Sequence, residues 1–198
     1  RGMDPAARRR RSVGPRGVDS DYMTVKYSAD GRELWARRYD GPLGGADRAT
    51  GIAPDAIGDV VVTGESWGSL ETGLDFVTVR YSPDGAELWV RRHGGPEAGD
   101  DRPAGVAVDA RGNAVVAGES WGGPLARRDF AIVKYAPDGA ELWERRYDAG
   151  ADDLPVAVAA DGAGNVLVTG TSRGASNTGL EMATMKLSPD GTGLWVRR

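Results

Sequence analysis

The stretch Asp75–Arg92, DFVTVRYSPDGAELWVRR, reads as a β-hairpin. Its first seven residues alternate apolar and polar, the period of a strand with one face buried. Ser82-Pro83-Asp84-Gly85 is a tight turn, because proline presets φ and glycine accepts a positive φ. Glu87–Arg92, ELWVRR, returns as a second strand. Further along, His93–Arg102 is a longer loop and Gly105–Asp109, GVAVD, a short apolar strand. Ala110–Asn113 makes another tight turn, and Ala114–Gly118, AVVAG, gives a fourth strand. Glu119–Arg128 is a polar, glycine-rich loop that leads into a second hairpin of the first kind.

The same unit recurs. Trp35, Trp89, Trp143 and Trp195 are spaced 54, 54 and 52 residues apart, and the Asp-Gly pairs at 30–31, 84–85, 138–139 and 190–191 keep step. So do Asp21, Asp75, Asp129 and Glu181; Asp47, Asp101 and Asp153; and Gly64, Gly118 and Gly170. Several columns sharing one period point to a repeat architecture. One four-stranded antiparallel sheet cannot cover both of its faces, so such sheets must stack. The expected fold is all-β: a β-propeller of four-stranded antiparallel blades, about three and a half in this chain. A β-solenoid is the structural alternative, although its repeats are shorter. The four tryptophans are expected to pack between blades.

The strings IAPDAIGDVVVTGES (52–66), VAVDARGNAVVAGES (106–120) and VAVAADGAGNVLVTGTS (156–172) carry a family likeness. With the DF(V/I) and PDG-x-x-LW strings that follow them, they resemble the SBBP family of β-propeller repeats over residues 21–198. The resemblance implies a propeller, no single enzymatic activity, and a secreted or cell-surface setting. It places GVAVD innermost, AVVAG second, DFVTVRY third and ELWVRR outermost. The blades are then 47–92, 101–146 and 153–198, with 21–39 the outer half of an earlier one. An arc of this kind is expected to close through sequence beyond Arg198 or through self-association. The run Asp84–Trp89 also resembles the tryptophan-docking strand of quinoprotein propellers. That likeness concerns packing, and no quinone or other cofactor is expected.

Charge narrows the partners. Residues 1–20 hold six arginines against Asp4 and Asp19, so a body of about −8 lies behind a net charge of −4. An acidic body does not suit a phosphate backbone, and no nucleic-acid partner is expected. The tail reads as disordered or as a remnant of processing or cloning. The chain has no run of eighteen apolar residues, so no membrane-spanning helix is expected.

Chemistry is sparse. His93 is the one histidine and cysteine is absent, which leaves too few ligands for zinc. His93 matches Tyr39 and Tyr147, which suggests a half-buried ring position. There is no G-x-S-x-G elbow and no P-loop. Asp55…Asp59, Asp109…Asn113 and Asp161…Asn165 fit Asx turns, with calcium the weaker reading. The recurring aspartates read as loop supports, and the paired arginines (37–38, 91–92, 145–146, 197–198) as charges that blunt an outer edge. No catalytic set and no metal site are expected.

The long loops gather on one face, where recognition commonly sits. The candidate ligand-binding residues there are Trp67, Trp121, Glu65, Glu119, Arg173, Asp101 and Arg102, with Trp35, Trp89, Trp143 and Trp195 reserved for packing. The leading expectation is a non-enzymatic binding or scaffold module with a protein or carbohydrate ligand. A carbohydrate-binding module that stacks sugars on Trp67 and Trp121 is one alternative. A hydrolase or lyase using acidic residues of the long-loop face is the other.

Overall fold

The computed structural model describes residues 20–69, 71–123, 127–173 and 179–198. Of the arginine-rich tail at 1–20, residues 1–19 lie outside them. Fourteen strands and no helix are found among the described residues, and no helix is therefore long and apolar enough to cross a membrane. Strands β1 (Tyr22–Tyr27) and β2 (Glu33–Tyr39) form a two-stranded sheet. The first four-stranded sheet comprises β3 (Asp47–Pro54), β4 (Val60–Ser69), β5 (Gly73–Tyr81) and β6 (Glu87–His93). The second comprises β7 (Arg102–Val108), β8 (Ala114–Trp121), β9 (Arg128–Tyr135) and β10 (Glu141–Tyr147). The third comprises β11 (Asp153–Ala160), β12 (Val166–Ser172), β13 (Glu181–Leu187) and β14 (Gly193–Arg197). Every sheet is an antiparallel meander in chain order, the blade-type unit that the repeat spacing implies.

The recurring glycines have a backbone cause. The first strand of each four-stranded sheet slips register at one place, between Ala49 and Gly51, Pro103 and Gly105, and Pro155 and Ala157. The residue opposite that bulge is Gly64, Gly118 or Gly170. A Cβ there would collide with the carbonyl oxygen of Arg48, Arg102 or Leu154. Only glycine lets the bulged strand come that close.

The sheets stack face to face. Neighbouring residues of one strand serve different cores, because strand side chains alternate. Val62, Val77 and Val79 pack with Tyr22 and Trp35 from the sheet before. Val61 and Phe76 turn the other way and meet Val116, Val133 and Tyr135 of the sheet after. The pattern repeats with Val115 and Ile132 against Val168 and Leu187. β5 and β9 are therefore buried nearly throughout, and their runs are long and apolar. β14 is exposed at every position, since no sheet among the described residues packs over it. The inner strands β3, β7 and β11 lie side by side. A Cβ built on Gly51 would stand 3.0 Å from the Gly105 Cα, and the Thr50 hydroxyl donates to the Pro103 carbonyl at 2.9 Å.

One joint locks each pair of sheets. The Trp35 Nε1–H donates to the Pro83 carbonyl at 3.0 Å, and Trp89 and Trp143 donate to Pro137 and Pro189 at 2.9 Å. Two residues on, the Nε–H of Arg37, Arg91 and Arg145 donates to Gly85, Gly139 and Gly191 at 2.5, 2.6 and 2.8 Å. Each outer strand thus grips the Asp-Gly turn of the following sheet with an indole and a guanidinium. Trp195 departs from the expected packing role. The residue is 36% exposed, and Arg197 donates to the carbonyl of Val196 and stands 5.9 Å from the Trp195 ring centroid.

Candidate functional site

The middle junction brings Glu65, Arg102 and Glu119 together, and five of the seven expected residues lie on strands, with Asp101 and Arg173 just outside them. β4 continues to Ser69 and β8 to Trp121, so Glu65, Trp67, Glu119 and Trp121 are strand residues. The ladder holds that far because Trp67 pairs with Leu74 and Trp121 with Arg128. The polar, glycine-containing sequence conceals this, since it lacks the apolar alternation that marks a half-buried strand.

Glu65, Arg102 and Glu119 form one chain of charge across two sheets. Arg102 Nε lies 3.3 Å from Glu65 Oε2, and its Nη1 lies 3.4 Å from Glu119 Oε1. Asp100 holds the Arg102 Nη2 at 2.6 Å, and Arg128 pairs with Glu119 from the far side. Asp100 and Arg128 were not singled out from sequence; their partners lie in other strands and loops. These charges satisfy one another, so the ladder ties sheet to sheet.

The two tryptophans of this face are half-buried. A Cβ on Gly45 would lie 2.5 Å from the Trp67 Cβ, and one on Gly99 would lie 2.5 Å from the Trp121 Cδ1. The loop ahead of each first strand therefore packs against the base of the indole. Arg173 is half-buried, with its Nε without a hydrogen bond, and its backbone N–H donates to the Asp152 carbonyl at 3.2 Å.

Asp101 is buried and serves the backbone. Its Oδ2 accepts from Gly95 N–H at 2.6 Å and its Oδ1 from Trp121 N–H at 2.9 Å. Asp47 and Asp153 accept from Gly41 and Ala149, both at 2.7 Å, as the loop-support reading expects. Burial pushes the pKa values of Asp47, Asp75 and Asp129 above the usual carboxylate range. Arg92 and Arg146 partly offset this, lying 2.7 Å from Asp75 and 3.0 Å from Asp129. Burial likewise pushes the Tyr81 phenol up to about 12.

Neither set of paired arginines is a bare edge charge. The first of each pair docks on the next turn at three junctions. The second binds within its own sheet: Arg92 Nη2 donates to Ser66 Oγ at 2.7 Å and Arg146 Nη1 to Ser120 Oγ at 2.8 Å. The edge-blunting reading gives way to a cohesive one. His93 is a ring position as its alignment with tyrosine implies. It packs on Phe76 at 5.7 Å, as Tyr39 does on Tyr22 and Tyr147 on Phe130. Its Nε2 stands 3.5 Å from Glu144 of the next sheet. Nearby, Gly94, Gly95, Pro96 and Arg146 line an open cleft of about 430 Å³.

On the opposite face the D-x-x-G-N turns hold their own backbone. Asp109 Oδ1 accepts from the N–H groups of Arg111 and Asn113 at 2.9 and 3.0 Å, and Asp161 repeats this on Ala163 and Asn165. Lys134 fills the remaining acceptor of Asp109 at 2.9 Å. The Asx-turn reading accounts for the spacing.

Fold and site together define a class: an all-β repeat protein of stacked, blade-like sheets whose charged residues bind both within sheets and from sheet to sheet. No known family and no curated protein matches the chain by sequence.

Proposed function

We propose that the chain is an arc of a β-propeller, built of SBBP-type repeats, and that it works as a non-enzymatic binding or scaffold module. One observation carries this reading. Each internal junction is the same joint, an indole and a guanidinium gripping an Asp-Gly turn, and two further halves of it, one on β14 and one at the β1–β2 turn, have no counterpart among the described residues. Trp195 and Arg197 are the gripping half. Ser28-Ala29-Asp30-Gly31 is the gripped half: it folds like the other turns, with Gly31 at φ 81°, yet a Cβ there would touch nothing within 4 Å among the described residues. The corresponding glycines at 85, 139 and 191 all face an indole.

An Asp-Gly turn of this kind fits Trp195, supplied by a further repeat of the sequence or, in self-association, by the Ser28–Gly31 turn of a second copy. The contact between copies is head-to-tail, and contacts of that type close into rings when the rotation allows. Two copies would provide eight sheet positions, within the range of about four to eight blades. The test is the mass of the 198-residue chain in solution by light scattering across concentration. The expected species is a dimer of about 42 kDa, twice the chain mass of 20.9 kDa, weakened by Trp195→Ala. A well-folded monomer at all concentrations would overturn the reading.

A further inference from the structure

We propose that the first and third sheet junctions each bind one calcium ion, the first through Asp21, Asp40 and Asp47 and the third through Asp129, Asp148 and Asp153. In each triad the three residues offer carboxylate oxygens within 4.8 Å of one another. Calcium binds oxygens at about 2.3–2.6 Å, so ligands of one ion can stand up to roughly 5 Å apart.

Acidic clusters are common, and the buried oxygens decide the matter. Asp47 is 1% exposed, Asp129 3% and Asp153 0%. In Asp21, Asp47, Asp129 and Asp153 the Oδ1 atom is buried and has no hydrogen-bond partner. In all four the Oδ2 is engaged: by Arg38 for Asp21, Gly41 N–H for Asp47, Arg146 for Asp129 and Ala149 N–H for Asp153. Ser66 favours the charged form of Asp47 but makes no hydrogen bond to its Oδ1. A buried anionic oxygen without a partner is costly, and a cation removes that cost.

The middle junction is an internal control. Gly94 stands where Asp40 and Asp148 stand, so the third carboxylate is missing. There the Oδ1 of Asp101 accepts the Trp121 N–H and is satisfied. Orphaned oxygens occur at the two junctions that have a third carboxylate and not at the one that lacks it.

Charge agrees. Each triad sets three carboxylates against one adjacent guanidinium, Arg38 or Arg146, and retains about two negative charges. The cations of the following sheets, Arg92 and Arg198, are held by Ser66 and Ser172 instead of the triads. An all-oxygen, partly open set with a charge of −2 suits calcium over magnesium, which demands a tighter octahedron.

The experiment is calorimetric titration of the full chain with calcium chloride after chelator treatment. Two ions per chain are expected, with a higher melting temperature in calcium than in EDTA. Asp40→Gly and Asp148→Gly copy the middle junction and touch exposed residues, so the fold should persist by circular dichroism. Each should remove one ion, and the double variant both, together with the thermal shift. Magnesium should give no comparable binding. Absence of both heat and thermal shift up to about 10 mM calcium, beyond the weakest extracellular modules, would overturn the proposal. So would an unchanged stoichiometry of two in the folded double variant.

Discussion

Gly85, Gly139 and Gly191 share φ values of 81–83°, a region an L side chain enters at a cost of about 1–2 kcal/mol. They also lie beneath an indole: a Cβ on Gly139 would stand 2.8 Å from the Trp89 Cγ. Gly31 has the same φ with open space around it. The pair separates backbone strain from docking. In a Trp195→Ala background, Gly31→Ala should lose about 1–2 kcal/mol in urea unfolding. Gly139→Ala should lose a further ~1–3 kcal/mol, because Trp89 must move. Equal losses would show that the joint has no structural value. A second single-residue test concerns Lys134 and Asp109, whose side chains are each 1% exposed and lie 2.9 Å apart. Burial pushes the Asp109 carboxyl up, but hydrogen bonds from Asn113, Lys134 and the turn N–H groups outweigh it and hold the pKa below 3.8. A depressed carboxylate contributes stability above its unfolded pKa and loses it as pH falls through the folded value. Lys134→Met should therefore cost about 3–5 kcal/mol at pH 7, since it strands a buried charge. The deficit should shrink below about pH 4, where Asp109 can take up a proton. Urea midpoints at the two pH values check the sign.

The strands were largely legible in the sequence because local alternation and turn chemistry specify them. DFVTVRY and ELWVRR pair as Val77 with Arg92 and Val79 with Val90, across the Pro-Asp-Gly turn read from residues 82–85. What was not legible arises between elements. Gly64 recurs because β3 bulges over it, and a bulge leaves no mark of its own in an apolar run. The Glu65–Arg102 contact joins different sheets. Asp40 and Asp148 escaped because their column is broken by Gly94, so period alone does not flag them. The element that best tests the stacking is the inner edge, where β3 and β7 meet at Gly51 and Gly105 with 3.0 Å to a built Cβ. Gly51→Val should force the strands apart and lose about 1–3 kcal/mol, as overpacking does. The same exchange at Gly162, where a built Cβ meets nothing within 4 Å, should cost less. Urea unfolding of the two variants compares them directly.

Across the whole chain, stability should follow how many faces of each sheet are covered. The second sheet is sandwiched, and Val115, Val116, Ala117, Ile132 and Val133 are completely buried. The third has a covered face, with Val168 and Leu187 buried, and an open one, with Met182, Trp195 and Val196 exposed. The two-stranded sheet is likewise open on one side, at Met23 and Tyr27. Local opening costs least where apolar contacts are fewest. Amide exchange in dilute solution should therefore be slowest in β8 and β9 and fastest in β14 and β1. Raising the concentration should protect β13, β14, β1 and β2 while leaving β8 and β9 unchanged, because the proposed head-to-tail docking would cover only the open faces. Trp195→Ala should abolish that dependence without altering the dilute pattern. Uniform exchange across the sheets would mean that the stack unfolds as one unit, its ends no weaker than its centre. Concentration-independent exchange at β14 would leave Trp195 with no turn to grip.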